Sequence, residues 1–440
     1  MGDIDGDGID DYAVGAPGRD LPGLPRAGAV RMYSGATGAT IYEVLGTEAD
    51  ALFGFPIEPA GDVDLDGVPD FLVGATNSPT TMPRAGTVHL VSGRTGTILR
   101  SYGGTVVDGG FGASLAGLGD VDGDGVADHA IGEPRADGMG GLALRGVVHT
   151  YSGATGAHLY SVVPPPTGPG LPNRYSYGSS IVGVGDWTGD GLGDFAMWCQ
   201  LTPGLLGEIQ VRSGADGSLA FSRAGTPQQR LRSGLSSGED LDGDGFQDLL
   251  FSGWQGIAVI TLPSSVIAIS GRDQSTLLEI PGPVDSLWGV GATFVGDSDG
   301  DGVTEILLRP SQPSLPEPVL AEVYSGRTGA WITDVPASGL NLSLGFSPAG
   351  DINGDGRADW LINDPDSITE TGQCCMLGVR VMGLAGFDGE ICDAPINSTG
   401  APANLTFTGS TSVAANDFGV RVTSLPTGAS GVLLSSTTIG

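Results

Sequence analysis

The sequence predicts an all-β fold, a seven-bladed β-propeller with four antiparallel strands per blade. Two observations predict it. A nine-residue acidic loop occurs seven times in the 440 residues, with 54 to 66 residues between successive first aspartates. Runs of about five β-prone residues separated by glycine-rich turns fill the intervals, without helical periodicity. Tandem units of this kind form one repeat architecture, so we expect a single domain over residues 1–440.

The third copy of the loop, Asp120–Asp128, has acidic residues at places one, three, five and nine and glycine at places four and six. Alternate carboxylates, joined by the backbone carbonyl of place seven, can wrap a hard cation, and glycine permits the sharp turn. Carboxylates this close would repel one another without a cation between them. Calcium fits this pattern better than magnesium, which retains water and demands stricter octahedral geometry.

The predicted calcium ligands are places one, three, five, seven and nine of each copy, named loops one to seven in chain order. They are Asp3, Asp5, Asp7, Ile9 and Asp11; Asp62, Asp64, Asp66, Val68 and Asp70; Asp120, Asp122, Asp124, Val126 and Asp128; Asp186, Thr188, Asp190, Leu192 and Asp194; Asp240, Asp242, Asp244, Phe246 and Asp248; Asp297, Asp299, Asp301, Val303 and Glu305; and Asp351, Asn353, Asp355, Arg357 and Asp359. Thr188 and Asn353 lower the charge of two loops. We expect up to seven calcium ions, mainly structural, because each would pin a turn between two strands.

The second and third repeats define the predicted blade. Their four strands are expected at 53–57 and 111–115, 71–75 and 129–134, 86–91 and 146–151, and 98–102 and 158–162. The acidic loop joins strands one and two, and a Ser-Gly-x-Thr-Gly turn joins strands three and four. All seven loops and these turns are therefore predicted on one face of the disc, and the remaining loops on the opposite face.

The two ends of the chain carry separate expectations. Because the sequence starts at loop one, the first blade lacks its first strand, and we expect 418–423 to supply it and close the ring. Residues 397–416 are interpreted as an irregular insertion, and 431–435 as one further strand. Met1 directly precedes the middle of a repeat, which suggests that the natural N-terminus lies elsewhere.

Composition limits the classes of molecule that the protein is expected to bind. Acidic residues number 51 against 19 basic ones, for a net charge of −32, and about half of the acids lie in the seven loops. This charge argues against nucleic acid, whose backbone is anionic, and offers no basic patch for anionic lipid. No apolar run is long enough to predict membrane insertion. Cys374 or Cys375 could pair with Cys392 in an oxidising compartment, or all four cysteines could be unpaired.

These motifs resemble the FG-GAP repeat of integrin α-subunit propellers and their bacterial relatives. The pattern is present as Phe53-Gly54, as Gly61 followed by Asp62–Asp70, and as Gly15-Ala16-Pro17. The resemblance extends over essentially the whole chain and implies a seven-bladed propeller with calcium in the blade loops. An Arg-Gly-Asp tripeptide is absent, and the resemblance does not identify a ligand.

The sequence predicts a binding module and no enzyme. Its four histidines do not cluster by pattern, and no nucleophile elbow or phosphate loop is present. The variable loops opposite the calcium loops are the expected binding surface, because function tends to lie on loops held by a rigid scaffold. They comprise 19–26, 77–84, 135–145, 164–177, 309–318 and 364–375.

We therefore expect a secreted or cell-surface protein that binds a protein or glycan, as a monomer or a module of a larger surface protein. Two alternatives stay open. One is a carbohydrate-active enzyme, a polysaccharide lyase or hydrolase, that uses the propeller channel. The other is a structural spacer within a larger surface protein.

Overall fold

The computed structural model describes residues 1–136, 145–165, 176–200, 206–226, 230–254, 263–284, 288–289, 291–309, 319–336, 346–352, 356–364, 378–382, 388–391, 404–408 and 419–423. Within these ranges the chain forms β-strands, turns and bends, and no helix. None of these residues belongs to a helix of the length and apolarity needed to cross a membrane.

The strands of the described part of the chain form eight antiparallel sheets, and in each sheet the strands follow one another in chain order. Sheet one contains β1 (Tyr12–Gly15), β2 (Ala29–Tyr33) and β3 (Thr40–Leu45). Sheet two contains β4 (Phe53–Gly61), β5 (Asp70–Ala75), β6 (Thr87–Val91) and β7 (Ile98–Gly103). Sheet three contains β8 (Leu115–Gly119), β9 (Asp128–Glu133), β10 (Val147–Tyr151) and β11 (His158–Val162).

The remaining sheets repeat this plan. Sheet four contains β12 (Ile181–Gly185), β13 (Asp194–Cys199), β14 (Glu208–Arg212) and β15 (Leu219–Ala224). Sheet five contains β16 (Arg230–Ser236), β17 (Leu249–Trp254), β18 (Pro263–Ile269) and β19 (Thr276–Val284). Sheet six contains β20 (Thr293–Phe294), β21 (Glu305–Leu308), β22 (Val319–Ser325) and β23 (Trp331–Pro336). Sheet seven contains β24 (Phe346–Gly350), β25 (Asp359–Asp364), β26 (Gly378–Met382) and β27 (Asp388–Ile391), and a two-stranded sheet contains β28 (Asn404–Thr408) and β29 (Gly419–Thr423).

Successive sheets meet along their first strands, as the blades of a propeller do. Contacts link β1 to β4, β4 to β8, β8 to β12, β12 to β16, β16 to β20 and β20 to β24. Glycines allow the close approach: a Cβ on Gly117 would lie 2.7 Å from the carbonyl oxygen of Pro59, and one on Gly183 would lie 2.4 Å from that of Gly117. The predicted all-β propeller architecture of four-stranded antiparallel blades is confirmed.

The core lies between neighbouring sheets, because the side chains of each strand alternate between its two faces. In β5, Phe71 and Val73 pack with Met32 of sheet one, whereas Leu72 packs with Ile131 of sheet three. All five are essentially inaccessible to solvent. Full burial of a side chain of this size contributes about 1.5–3 kcal/mol. Each middle strand therefore stabilises two interfaces.

Sheet seven also packs against sheet one. Tyr12 and Tyr33 of sheet one stack with ring centroids 5.5 Å apart, and they share an apolar cluster with Ala349 and Ile352. Ile352 lies in loop seven, so this acidic loop contributes a core side chain to the first sheet.

Two predictions of local structure, one of a strand and one of an irregular segment, are wrong in part. Residues 111–114 form turns before β8, which begins at Leu115, and Gly112 has a φ of 84° that a regular strand would not accommodate. Residues 397–416 are not wholly irregular, since β28 lies within them.

The C-terminal strand does not make the expected pairing. β29 pairs with β28, and sheet one has three strands among the described residues. The short connection between β28 and β29 makes this local antiparallel pairing entropically cheaper than closure onto the start of the chain. The predicted strand at 431–435 and the cysteines at 374, 375 and 392 lie outside the described residues. The described Cys199 is buried and unpaired.

Candidate metal centres

The acidic loops gather carboxylates as the sequence predicts. Among the described residues, five loops contain at least three acidic residues with one ligand atom each within 4.8 Å of the others. The groups are Asp3, Asp5 and Asp11; Asp62, Asp64 and Asp66; Asp120, Asp122 and Asp128; Asp240, Asp242 and Asp248; and Asp297, Asp299, Asp301 and Glu305. These groups could hold a metal ion.

The first aspartate of each loop organises the backbone around it. In loop three, Asp120 Oδ1 accepts hydrogen bonds from the N–H groups of Gly123 at 2.7 Å and Asp124 at 3.2 Å, and its Oδ2 accepts one from Gly125 at 2.8 Å. Asp240 and Asp297 accept the same three bonds in loops five and six. These donors lower the pKa of the Asp120 carboxyl group, with the bond from Gly125 contributing most. The loop is curled by its own backbone donors and leaves further carboxylate lone pairs for a cation.

The ninth-place acid has a different environment. Asp128 is buried; its Oδ2 accepts hydrogen bonds from Val121 N–H at 2.7 Å and Asp122 N–H at 3.2 Å, and its Oδ1 accepts one from Gly153 N–H at 2.8 Å. Gly153 belongs to the Ser-Gly-x-Thr-Gly turn between β10 and β11. The acid therefore ties its loop to that turn, which confirms that both lie on one face.

The same tie recurs in other sheets. Asp11, Asp70, Asp194 and Asp248 accept the N–H groups of Gly35, Gly93, Gly214 and Gly271 at 2.8 to 3.0 Å. Burial raises the pKa of these four carboxyl groups and of Asp128, and that of Asp248 to about 6.

The glycine of this turn is required by a close approach. A Cβ on Gly153 would lie 1.9 Å from the carbonyl oxygen of Ala127, the residue before Asp128. The equivalent separations are 1.9 Å at Gly93, 2.0 Å at Gly35 and 1.8 Å at Gly214. No side chain fits there without moving the backbone, which explains why the turn reads Ser-Gly in these repeats.

Loop six differs at its ninth place. Glu305 Oε2 accepts hydrogen bonds from Ser298 N–H at 2.6 Å and Asp299 N–H at 3.2 Å. Its Oε1 has no hydrogen-bond partner, and water cannot supply one from bulk solvent because the residue is fully inaccessible. Burial raises the pKa of Glu305 to about 7. An orphaned carboxylate oxygen is costly, and a cation held by the four acids of this loop would remove that cost.

The donor set fits calcium. Every group gathered in these loops is a carboxylate, and hard oxygen donors on a flexible loop suit calcium. In six loops the place-seven residue donates its N–H to the place-five aspartate at 2.9 Å, which completes the curl of the loop. These residues are Ile9, Val68, Val126, Leu192, Phe246 and Val303.

Loop four departs from this arrangement, and loop seven is described only in part. In loop four the N–H of Thr188 donates to Asp194 Oδ2 at 2.7 Å, and the described residues of this loop form no group of three acids. In loop seven, Asn353 and Asp355 lie outside the described residues. Asp351 and Asp359 are described, and they accept backbone bonds from Gly356 at 2.7 Å and Ile352 at 3.1 Å.

The structure gathers side chains that sequence reasoning left apart. Three of the four histidines surround Tyr151 in sheet three, with ring centroids 5.4 to 6.4 Å from it: His129, His149 and His158. His149 Nε2 lies 3.2 Å from Glu133 Oε2, and its Nδ1 lies 2.9 Å from Ser161 Oγ. The strand register could have revealed this group, since His149 pairs with Ile131 and Ser161 and so shares their side of the sheet.

Comparisons with known proteins agree with the architecture. The FG-GAP repeat family model matches residues 111–154. Integrin alpha-V of Gallus gallus is 32% identical over 168 residues, which are 36% of this chain and 15% of that protein. Integrin alpha-5 of Xenopus laevis is 33% identical with the same coverage, and integrin alpha-PS2 of Drosophila melanogaster is 32% identical over 35% of this chain and 11% of that protein. The predicted resemblance to an integrin-α-like FG-GAP propeller is confirmed.

The matched segments are a small part of these relatives, less than a sixth of each. Among solved structures, "Structure of Dos1 propeller" aligns with 81% of this chain and 72% of that one, at a TM-score of 0.44 and 11% identity.

Proposed function

We propose that the protein is a calcium-stabilised propeller that binds a protein or glycan ligand on the face opposite its acidic loops, at the cell surface or after secretion. The observation that carries the calcium part is Glu305, whose buried Oε1 lacks a partner within a group of four acids. The places named above in all seven loops are the proposed ligands, for up to seven ions of mainly structural role.

A seven-bladed ring over residues 1–440 is part of this proposal. Seven sheets carry an acidic loop at the entry to their second strand, or at the equivalent place in sheet one. The shared cluster of Tyr12, Tyr33, Ala349 and Ile352 supports closure of the ring by packing between the last and first sheets. The function proposed first is that of a binding module and not of an enzyme.

The ligand-binding part is supported by the contrast between the two faces. On the acidic-loop face the repeats use the same hydrogen bonds. On the opposite face Phe55, Met82 and Val107 are exposed apolar side chains, with 65%, 44% and 52% of their surface accessible. The exposed ion pairs Arg26–Asp50 and Arg84–Asp108 link the loops beside them. Exposed apolar groups among charged ones are typical of protein-binding surfaces.

Binding is tested with the calcium-loaded full chain, a glycan array and a panel of extracellular matrix proteins. We expect a ligand whose binding is weakened at least about tenfold in Phe55→Ser or Met82→Ser, as for interface anchors. Leu219→Ser is the control, since Leu219 is 50% exposed on the outer strand β15. Absence of a ligand on both panels, or equal loss in the control, would contradict the proposal.

Metal binding is tested by elemental analysis after equilibration with equal micromolar calcium and magnesium. The proposal predicts several calcium ions per chain and little magnesium. Less than one calcium per chain would reject it.

One observation favours a second function, hydrolysis. Ser161, His149 and buried Glu133 form a hydrogen-bonded series of hydroxyl, imidazole and carboxylate, the arrangement that activates a serine nucleophile. It spans β9, β10 and β11 of sheet three, whereas the sequence-based alternative places a carbohydrate-active enzyme in the channel. His158 Nε2 also contacts Ser161 Oγ, at 2.7 Å.

A matched pair of serines tests this alternative. Ser101 contacts His89 Nδ1 at 2.8 Å in the equivalent place of sheet two, where Ala75 replaces Glu133. Hydrolysis of p-nitrophenyl acetate that Ser161→Ala abolishes and Ser101→Ala retains would support the enzyme. Equal rates in the wild type and both variants would exclude this role for Ser161.

A further inference from the structure

Two acidic loops carry an arginine contact in addition to their backbone bonds. In loop six, Arg327 Nε donates to Asp301 Oδ2 at 2.8 Å and its Nη2 donates to the Asp301 carbonyl oxygen at 2.6 Å. In loop two, Arg94 makes the same two bonds to Asp66, at 2.9 and 2.7 Å. Asp66 and Asp301 are both place-five residues, so one geometry recurs in two sheets. We call loops two and six the latched loops.

The latch depends on one position of the Ser-Gly-x-Thr-Gly turn. Arg94 and Arg327 occupy the third place of that turn, where sheets one, three and four have Ala36, Ala154 and Ala215. Arg272 occupies it in sheet five, but its guanidinium lies over the ring of Phe246, 5.7 Å from the centroid. Loops one and three are therefore unlatched versions of the same scaffold.

The contact favours the metal-free loop. Clustered carboxylates repel one another, and a guanidinium on one of them relieves part of that repulsion. Both arginine side chains are 52% exposed, so solvent and salt screen the effect without removing it.

The same charge opposes a bound cation. A guanidinium bonded to Oδ2 of a ligand carboxylate would be a close neighbour of an ion held by that carboxylate. At such close range a divalent cation and a single positive charge repel even in water, enough to lower affinity by about three- to tenfold at low salt.

We propose that Arg94 and Arg327 set a second, weaker class of calcium sites in loops two and six. They stabilise the metal-free loop and repel the ion, so these loops fill at higher calcium concentrations than loops one and three. This proposal rests on calcium binding by the acidic loops. In loop six that premise is independently supported by the unpartnered buried Oε1 of Glu305.

Loop two offers the cleaner test. Loop six has a second cation nearby, since Arg357 Nη1 donates to the Ser298 carbonyl oxygen at 3.4 Å. Ion-depleted full-length protein is titrated with calcium, and hydrogen exchange is measured by mass spectrometry. The midpoint of a loop is the calcium concentration at which its amides gain half of their calcium-dependent protection, and it is obtained separately for each loop. We expect the wild-type midpoint of loop two to exceed that of loop three.

Three variants distinguish the causes. Arg94→Ala should lower the loop-two midpoint about three- to tenfold and reduce loop-two protection without calcium, with loop three unchanged. Arg94→Lys retains the charge and should stay within about twofold of the wild type if repulsion dominates. Arg272→Ala, a turn arginine seated on an aromatic ring, should leave both midpoints unchanged. The shift in Arg94→Ala should shrink when sodium chloride is raised from 50 to 500 mM.

The outcomes separate the two proposals. If loop three responds to calcium and Arg94→Ala raises or preserves the loop-two midpoint, the latch proposal is overturned and calcium binding stands. If no loop responds to calcium, both are overturned.

Discussion

In loop three, the ninth place and the first, third and fifth places all carry aspartate, but in different surroundings. Asp128 is buried and accepts three backbone hydrogen bonds, one of them from the turn between β10 and β11. Asp122 and Asp124 are exposed at the loop surface. The ninth acid therefore ties its loop to a second turn even without an ion, whereas Asp122 and Asp124 accept single backbone bonds from within the loop and gain most of their stabilising role when an ion is bound.

The largest expected effect comes from removing the ninth acid. Asp128→Ala would leave three backbone N–H groups without their acceptor, and unsatisfied buried donors cost about 1–3 kcal/mol each. We expect a loss of about 3–5 kcal/mol in the free energy of unfolding in ion-depleted buffer, from urea denaturation.

Asp122→Ala is the matched control. It should change stability by less than about 1 kcal/mol without calcium, because its carboxylate is exposed and repelled by its neighbours. With calcium it should be clearly destabilising. Equal losses for both variants in ion-depleted buffer would show that the ninth place has no special role.

The next effect concerns the turn that the ninth acid holds. Gly153→Ala would place a Cβ 1.9 Å from the Ala127 carbonyl oxygen, so the turn must move away from Asp128. We expect a loss of about 2–3 kcal/mol in unfolding free energy, as for an overpacked site. Ala154→Gly, one residue along the same exposed turn, should cost less than about 1 kcal/mol. A neutral Gly153→Ala variant would contradict the close approach.

The two classes of acid also predict a pH dependence. Burial raises the pKa of Glu305 to about 7 and that of Asp248 to about 6 in the ion-free protein. Because the folded pKa values exceed the unfolded ones, stability of the ion-free protein should fall as pH rises from about 4.5 to 7. Calcium competes with these protons, so its stabilising effect should grow over the same range. Melting curves with and without calcium at pH 5, 6 and 7.5 measure both trends, and parallel curves would contradict the assignment.

The smallest effect is expected at an exposed position of loop two. Leu65 occupies the fourth place, where all six other loops have glycine, and it has a φ of 60° with 69% of its surface accessible. A left-handed conformation costs a leucine about 1–2 kcal/mol. Leu65→Gly should raise unfolding free energy by about 1 kcal/mol, measured by urea denaturation, whereas a loss would show that Leu65 makes a stabilising contact.

Much of the architecture was predictable because the repeat constrains it. The spacing of Asp62, Asp120 and their equivalents sets the strand order, and alternation places Phe71 and Leu72 in different interfaces. The repeat does not constrain the C-terminal end of the chain in the same way. β29 has the sequence of a first strand, yet it pairs with β28. Pairing with a strand close in sequence costs less loop-closure entropy, and the repeat pattern contains no information about that cost.

The gathering of acidic side chains in the loops was predictable, and the contacts that support those side chains were not. The pattern identifies Asp128 as a ligand candidate, but the bond from Gly153 becomes visible only when two distant turns meet. The grouping of His149, Ser161 and Glu133 likewise depends on register across three strands. Residues adjacent in space and distant in sequence lie beyond a single-sequence pattern.

The central claim is that calcium in the acidic loops holds the propeller together. Differential scanning calorimetry of ion-depleted protein, with and without 1 mM calcium, tests it most directly. Ligands that bind only the folded state add stability at each site, so the account predicts that calcium raises Tm by about 10–15 °C, with a smaller rise in 1 mM magnesium. Identical melting curves in calcium and in ion-depleted buffer would contradict it.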